Sequence, residues 1–146
     1  MLVRDLLPHA RARLERIGLE ASLLQAARLL GDGCDMLLVC DNDGYLAGLI
    51  TKTDVVRHTG RCTGASCTAP VVAAMTREVT ATDPGQTLQG VWNVMKTHGR
   101  KNLPVLAEDR QPLGVLNARD VLQALLQEVR HEESLLYEYT MGLGYR

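Results

Sequence analysis

The chain has 146 residues, of which 46% are hydrophobic and 23% charged, and its formal net charge is −1. This composition is typical of a soluble globular protein and excludes an intrinsically disordered chain. Sixteen basic residues stand against 17 acidic ones, which argues against a nucleic-acid binder that neutralises phosphates. The first residues lack a basic segment followed by an apolar run, so we expect a cytoplasmic protein with neither a secretory signal nor a membrane contact.

Two amphipathic helices are predicted, one in each half of the chain. Apolar residues recur at positions i, i+3, i+4 and i+7, which is the spacing of one helix face. These residues are Leu23, Ala26, Ala27 and Leu30 in the first half and Leu88, Val91, Trp92 and Met95 in the second. Each helix precedes two short apolar runs separated by a polar turn, at residues 41–44 and 108–112. Each half therefore predicts a helix followed by a β-hairpin.

The second strand of each hairpin leads into a repeated motif. The motif has a glycine, two aliphatic residues, a polar residue and, three positions after the polar residue, an aspartate; it occupies residues 48–54 and 114–120. The copies lie 66 residues apart and the preceding helices 65 residues apart, so one single-residue gap aligns the halves. The chain is an internal duplication. Because each half is small for an independent domain, we expect the two to share a core.

The polar residue and the aspartate of the motif have two interpretations. Thr51 and Asn117 stand where a helix N-cap belongs, and Asp54 and Asp120 stand at the third helical position, which is typical of a capping box. Alternatively, the free N–H groups of the helix start suit a phosphate, and a carboxylate one turn later can accept both hydroxyls of a ribose. Both interpretations stay open from the motif alone.

The order of helix, hairpin, motif and helix, present twice, resembles a tandem pair of CBS domains, the module named after cystathionine beta-synthase. The resemblance extends from residues 3–7 and their counterpart at residues 72–76 to about Val129. It implies an α/β (α+β) fold in which two βαββα CBS repeats pack about a pseudo-twofold axis. The implied segments are repeat 1 at residues 1–60, a linker at 61–70, repeat 2 at 71–130, and a C-terminal helical extension and tail at 131–146.

The resemblance also implies ligand sites, because the clefts of such pairs commonly bind AMP, ADP, ATP, S-adenosylmethionine or NAD. Carried over by motif, Asp54 and Asp120 would hold the ribose diol, and Thr51 would contact phosphate. Asn117 replaces the threonine or serine usual in the family. The adenine is expected against Thr80, Leu103 and Pro104.

Positive charge distinguishes the two expected clefts. Arg100 and Lys101 precede a strand of the second half, and Arg119 lies inside the second motif, whereas the first-half counterpart at residues 33–35 has no cation. We therefore expect the second cleft to have its own basic residues, in compensation for Asn117. The candidates for positive charge at the first cleft are Lys52, Arg57 and His58.

A long C-terminal helix is predicted by Leu122, Leu125, Leu126 and Val129, which again follow helical spacing. Further apolar residues, among them Leu135, Leu136 and Tyr139, extend its stripe into the tail. Two interpretations stay open for this extension: it docks on its own domain, or it contacts another subunit.

The sequence contains no nucleophile elbow, Walker loop or zinc-protease motif, and its four histidines are scattered. We therefore expect a regulatory module that is not an enzyme and has no catalytic residue, no metal and no cofactor, and that takes an adenine nucleotide as a regulatory ligand. The resemblance implies a homodimer, and an unidentified protein is a further candidate partner.

Two alternatives belong to other functional classes. The first is a structural or partner-binding module whose aspartates only cap helices. The second is a redox or metal switch in which Cys62 and Cys67, with His58 nearby, supply ligands or thiols. Ordinary reduced thiols are the expected state, and Cys34 and Cys40 are expected to pack as small hydrophobic residues.

Overall fold

The computed structural model describes residues 1–61 and 69–143. The first half consists of α1 (Leu7–Ala12), β1 (Arg16–Gly18), α2 (Leu23–Gly31), β2 (Leu37–Cys40), β3 (Leu46–Ile50) and α3 (Lys52–Arg61). The second half consists of α4 (Leu88–His98), β4 (Asn102–Leu106), β5 (Pro112–Asn117) and α5 (Ala118–Leu143). Short 3₁₀ turns, Val3–Leu6 and Val71–Ala73, precede the two halves. The predicted α/β class and the repeated helix-hairpin-helix order are confirmed.

The two hairpins have the same irregularity at equivalent places. β2 pairs antiparallel with β3, and the register shifts between Val39 and Cys40. β4 pairs antiparallel with β5, and the register shifts between Val105 and Leu106. A bulge of this kind bends a strand and increases its twist. Its recurrence at the same alignment position supports the duplication inferred from the sequence.

The first strand of the βαββα unit is complete only in the first half. There β1 runs parallel to β2, with Ile17 opposite Val39. In the second half the equivalent segment makes a single parallel bridge, between Thr82 and Val105. Pro84 follows two positions later, where the next ladder donor would stand, and a proline nitrogen cannot donate a hydrogen bond. The proline therefore limits this strand to one bridge.

The core of each half includes residues from the N-terminal segment of the other half. Val3, Leu6 and Ala10 are buried with residues of α4, β4, β5 and α5 in the second-half core. Val71 and Met75 are buried with residues of α2, β2 and β3 in the first-half core. A third cluster joins the hairpins of both halves. The shared core is thus confirmed, and each half packs its N-terminal segment against the other half; these exchanged segments are residues 3–13 and 71–76.

The motif glycines allow these exchanged segments to approach closely. A Cβ added to Gly48 would lie 2.7 Å from the carbonyl oxygen of Thr76, and one added to Gly114 would lie 2.6 Å from the carbonyl carbon of Ala10. Leu49 and Thr76 also exchange backbone hydrogen bonds of 2.9 and 2.8 Å. The glycines are therefore required by backbone packing within the protein.

Helix α5 has 26 residues, about 39 Å at 1.5 Å per residue, and extends well beyond the core. Val121 and Ala124 are buried, whereas every residue from Val129 to Met141 is exposed. The interpretation that the extension docks on its own domain is therefore wrong for residues 131–141. No helix in the described ranges is long and apolar enough to cross a membrane.

The predicted boundaries of the repeats and the linker stay a prediction, because residues 62–68 lie outside the described part. Cys62 and Cys67, and hence the proposed switch, fall in that segment. Cys34 and Cys40 are free thiols, half-buried and buried respectively, and both contact core clusters as predicted. Within residues 1–61 and 69–143, no three His, Cys, Asp or Glu side chains are grouped to hold a metal ion.

Candidate ligand-binding clefts

The first motif forms a capping box at the start of α3. The backbone N–H of Thr51 donates to Oδ2 of Asp54 at 3.0 Å, and the N–H of Asp54 lies 3.4 Å from Oγ1 of Thr51. The Thr51 hydroxyl also donates to Oδ2 of Asp54, at 3.1 Å. The capping interpretation is therefore confirmed for this copy of the motif.

The carboxylate of Asp54 is also held by the exchanged segment. The hydroxyl of Thr76 donates to Oδ1 of Asp54 at 3.0 Å, so both carboxylate oxygens accept hydrogen bonds from the protein. Asp54 is only 8% exposed, and buried charges of this kind need such partners. Each carboxylate oxygen has two lone pairs, so Oδ1 keeps one acceptor position for a further donor.

Two neighbouring clefts lie near the motifs, and the larger of the two, of about 680 Å³, opens beside the first motif. Its volume is within the range of small-molecule sites. It is lined by Thr51, Lys52, Asp54 and Arg57 of the first half, by Thr76 of the exchanged segment, and by Arg100, Lys101, Asn102 and Asn117 of the second half. Residues of the two halves thus meet at one site, and a ligand in this cleft would contact both.

The basic residues of the second half lie at the first motif. Arg100 and Lys101 line the larger cleft together with Thr51 and Asp54, and Asp120 is not among its lining residues. Asn117 lines the same cleft, so these cations lie beside Asn117 and the first motif together, and their compensation for Asn117 in ligand binding stays a prediction. The position of the cations follows from the packing of the halves, which sets the start of β4 against the start of α3.

The second motif is held differently. Nε of Arg13 donates to Oδ2 of Asp120 at 2.8 Å, and Nη2 lies 3.4 Å from Oδ1. This hydrogen bond raises the pKa of the Arg13 guanidinium above its ordinary value. Asn117 accepts from the N–H of Arg119 at 2.9 Å and donates to Oδ1 of Asn102 at 3.1 Å. Asp120 therefore pairs with a cation, whereas Asp54 completes a capping box.

A smaller cleft of about 310 Å³ lies next to Arg13. Its charged lining residues are Arg13, Glu15, Asp32 and Asp35, so carboxylates outnumber cations there. Cys34 also lines it, and burial raises the pKa of its thiol. Asp35, Met36 and Asn102 line both clefts, which are therefore neighbours.

Five of the predicted site residues line neither cleft: Asp120, whose ion pair is described above, and four others. Leu103 is 1% exposed and belongs to the second-half core, and Pro104 is buried in β4 opposite Val115. Thr80 is half-buried and Arg119 exposed. Leu103 and Pro104 are therefore buried, and their contact with adenine stays a prediction.

Three further residues matter at these clefts and were missed in the sequence. Thr76 and Arg13 hold the two motif aspartates, and Asn102 lines both clefts. Thr76 and Arg13 come from the exchanged segments, 22 and 107 residues from their partners. No local spacing signal connects residues across such separations.

Comparison with known proteins decides the family. The sequence profile of the CBS domain matches residues 3–60 and 71–127. The chain belongs to the CBS-domain family. It is 26% identical over 90 residues to an uncharacterized 17.7 kDa protein in the bps2 3′ region of Acidianus ambivalens, a match that covers 62% of this chain and 53% of that protein. The chain thus spans about half the length of the curated relative it matches.

Solved CBS-domain structures have the same fold. A CBS-domain containing protein of Agrobacterium tumefaciens superimposes with a TM-score of 0.73 at 26% identity, covering 85% of this chain and 98% of the other. The CBS domain pair of protein MJ0100, solved with 5′-methylthioadenosine and S-adenosyl-L-methionine, has a TM-score of 0.73 at 21% identity, with 88% and 98% covered. The predicted fold of two CBS repeats is confirmed.

Each CBS motif of this chain therefore lies in a distinct environment. Thr51 and Asp54 of the first CBS repeat line the larger, cation-rich cleft, whereas Asp120 of the second is paired with Arg13.

Proposed function

We propose that this CBS-domain pair is a regulatory module that binds an adenosine-containing ligand in the larger cleft and does not convert it chemically. The observation that carries the proposal is the composition of the cleft. It joins the start of α3, with Thr51 and Asp54, to Arg100 and Lys101 of the other half. The MJ0100 CBS pair, which has the same fold, is known in complex with two adenosine compounds, and this supports the choice of ligand.

The start of α3 supplies the anchor for the ligand. Helix N-termini present unpaired N–H groups and positive potential, which favour an anion. Thr51 and Lys52 stand at this point, and the remaining acceptor position of Asp54 can take a ribose hydroxyl. Together these groups can bind the phosphate and the ribose of a nucleotide, and binding of this kind needs no chemical reaction.

The lining of the larger cleft favours binding over catalysis. Among its lining residues in the described part of the chain there is no histidine or cysteine, so Thr51, Thr53 and Thr76 have no imidazole base beside them to activate a hydroxyl. Asp54, the buried carboxylate, already accepts three hydrogen bonds from Thr51 and Thr76.

Ligand binding in this cleft supports regulation because the ligand contacts both halves. A ligand shifts a conformational equilibrium by its differential affinity for the two states. The larger cleft is lined by α3, by β4 and by Thr76 of the exchanged segment. A movement of one half relative to the other would change these contacts and therefore the affinity for the ligand.

A panel of ligands tests the proposal. Adenosine, AMP, ADP, ATP, NAD, S-adenosylmethionine and 5′-methylthioadenosine are titrated by calorimetry and thermal unfolding, with GTP as the control for base identity. At 100 times its Kd, one ligand stabilises the fold by about 2.7 kcal/mol, or roughly 5–10 °C in a domain of this size. The proposal is wrong if none of the adenosine compounds produces heat or a shift in Tm.

We further propose that α5 pairs with the α5 of a second copy. Leu136 and Tyr139 are 66% and 68% exposed on its projecting part. Arg130 precedes Glu133 by three positions, so two antiparallel α5 helices that cross midway between these residues place Arg130 of each copy opposite Glu133 of the other. This charge order is self-complementary, as a twofold interface requires.

Light scattering tests this dimer. The expected mass is twice the 16.0 kDa of the chain, and truncation after Glu133 should reduce it. Glu133→Arg should weaken the dimer, and Arg130→Glu with Glu133→Arg should restore it. A wild-type mass of one chain, or a mass unaffected by the truncation, contradicts the proposal.

A further inference from the structure

Four cationic side chains line the larger cleft from two directions. Lys52 and Arg57 belong to α3, and Arg100 and Lys101 precede β4. Two carboxylates, those of Asp35 and Asp54, line the same cleft. The lining therefore has a formal excess of positive charge, and the Asp54 carboxylate is already occupied by hydrogen bonds from the protein.

Within the described part of the chain, these cations form no ion pair. Among residues 1–61 and 69–143, the ion pairs are those of the N-terminus with Glu128 and of Arg13 with Asp120, and neither includes a cation of the larger cleft. Like charges grouped in this way repel one another. The N–H groups at the start of α3 add positive potential at the same edge. A multiply charged anion would relieve this repulsion.

We infer that the ligand of the larger cleft carries a chain of two or more phosphates, so that an adenosine di- or triphosphate binds in preference to S-adenosylmethionine or 5′-methylthioadenosine. This inference rests on the proposed function. Phosphate oxygens accept charge-assisted hydrogen bonds from guanidinium and ammonium groups. The sulfonium of S-adenosylmethionine is itself a cation, and 5′-methylthioadenosine has no charge, so neither ligand neutralises the cleft.

The origin of the cations in both halves favours more than one phosphate. Lys52 and Arg57 belong to one half of the molecule, and Arg100 and Lys101 to the other. A single phosphate at the start of α3 serves the first pair, whereas a longer chain of phosphates also engages the second. Affinity is therefore expected to rise from adenosine through AMP and ADP to ATP.

Calorimetry on the intact chain tests the inference. Wild type, an Arg100→Ala/Lys101→Ala variant and a matched Arg28→Ala/Lys96→Ala control are titrated with adenosine, AMP, ADP, ATP, S-adenosylmethionine and 5′-methylthioadenosine. All four substituted side chains are exposed, and both variants lose the same formal charge. The cleft variant should lose at least about tenfold in ATP affinity and keep its adenosine affinity within about twofold. The control should keep both within about twofold.

Salt provides a second measurement that needs no variant. Raising sodium chloride from low to high concentration should weaken the binding of ATP more than that of adenosine, because salt screens exposed charges. The inference is overturned if S-adenosylmethionine or 5′-methylthioadenosine binds more tightly than ATP, if the cleft variant binds ATP like wild type, or if salt affects ATP and adenosine equally. Each of these results leaves the proposed function in place, whereas failure of every adenosine compound to bind overturns both.

Discussion

The two copies of the CBS motif differ in what holds the aspartate of each copy. Asp54 accepts from the neutral donors of Thr51 and Thr76, whereas Asp120 accepts from the guanidinium of Arg13. Neutral donors leave the neighbouring cations of the larger cleft available to a ligand. Asp120, in contrast, is already neutralised by its ion pair with Arg13.

The same comparison holds for the residues around the motifs. Arg100 and Lys101 in the larger cleft correspond, 66 positions earlier, to Cys34 and Asp35 in the smaller one. Repetition of a motif therefore preserves its backbone geometry, while residues outside the motif give the two clefts different charges. Those residues come from the exchanged segments and from the strand of the opposite half.

The largest difference in stability between the two motif copies is expected when each aspartate is replaced by alanine. Asp54→Ala should lower the free energy of unfolding by about 3 kcal/mol, because it removes a cap and leaves the hydroxyls of Thr51 and Thr76 without their charged acceptor. Asp120→Ala should cost about 0.5 kcal/mol, since its ion pair with the exposed Arg13 is of the weak surface kind. Urea denaturation followed by circular dichroism measures both.

A conservative variant provides the control for this comparison. Asp54→Asn keeps an acceptor for one of the threonine donors, so it should recover part of the stability lost in Asp54→Ala. Equal losses for Asp54→Ala and Asp120→Ala would contradict the structural difference between the two motif copies.

The motif glycines should be the next most sensitive positions. Gly114→Ala should cost about 2 kcal/mol, within the range for overpacking, because the added Cβ would lie within 2.7 Å of three atoms of Ala10. Gly48→Ala should cost less, since two of its three close atoms belong to the Met75 side chain, which can rotate. Urea denaturation curves of both variants measure which substitution lowers the free energy of unfolding more.

Gly31→Ala is the matched control for these substitutions. A Cβ at Gly31 would meet nothing within 4 Å, so this change at the end of α2 should leave stability unchanged or slightly raised. A Gly114→Ala variant as stable as the Gly31→Ala variant would show that the exchanged segment does not require the glycine.

Local patterns in the sequence predicted the elements well and the clefts only in part. The helix at Leu88 and the hairpins followed from apolar periodicity and turn residues, which depend on near neighbours. The partners of Asp54 and Asp120 depend on tertiary packing between distant segments, so Thr76 and Arg13 had no signal. Leu103 was predicted to contact adenine because it is an apolar residue of a strand. Such a residue is equally typical of the protein core, and the structure places Leu103 there.

Arg13→Ala is expected to have only a small effect on stability and should instead change what the smaller cleft binds. Wild type should bind one nucleotide per chain, because Arg13 engages Asp120 beside a cleft of about 310 Å³, the lower end of the range for ligand sites. Loss of the guanidinium enlarges the cleft, frees the Asp120 carboxylate and leaves Glu15, Asp32 and Asp35 as its charged lining. An acidic cleft favours a neutral or cationic ligand over ATP.

Calorimetric stoichiometry measures this change. Arg13→Ala should bind a second adenosine or S-adenosylmethionine per chain while still binding a single ATP, at a cost in unfolding free energy below about 1 kcal/mol. Arg11→Ala removes a nearby exposed cation from α1 and should leave the stoichiometry at one. Two ATP molecules bound per wild-type chain would show that both clefts are open to polyphosphates. Unchanged stoichiometry for every ligand in Arg13→Ala would show that Arg13 does not block the smaller cleft.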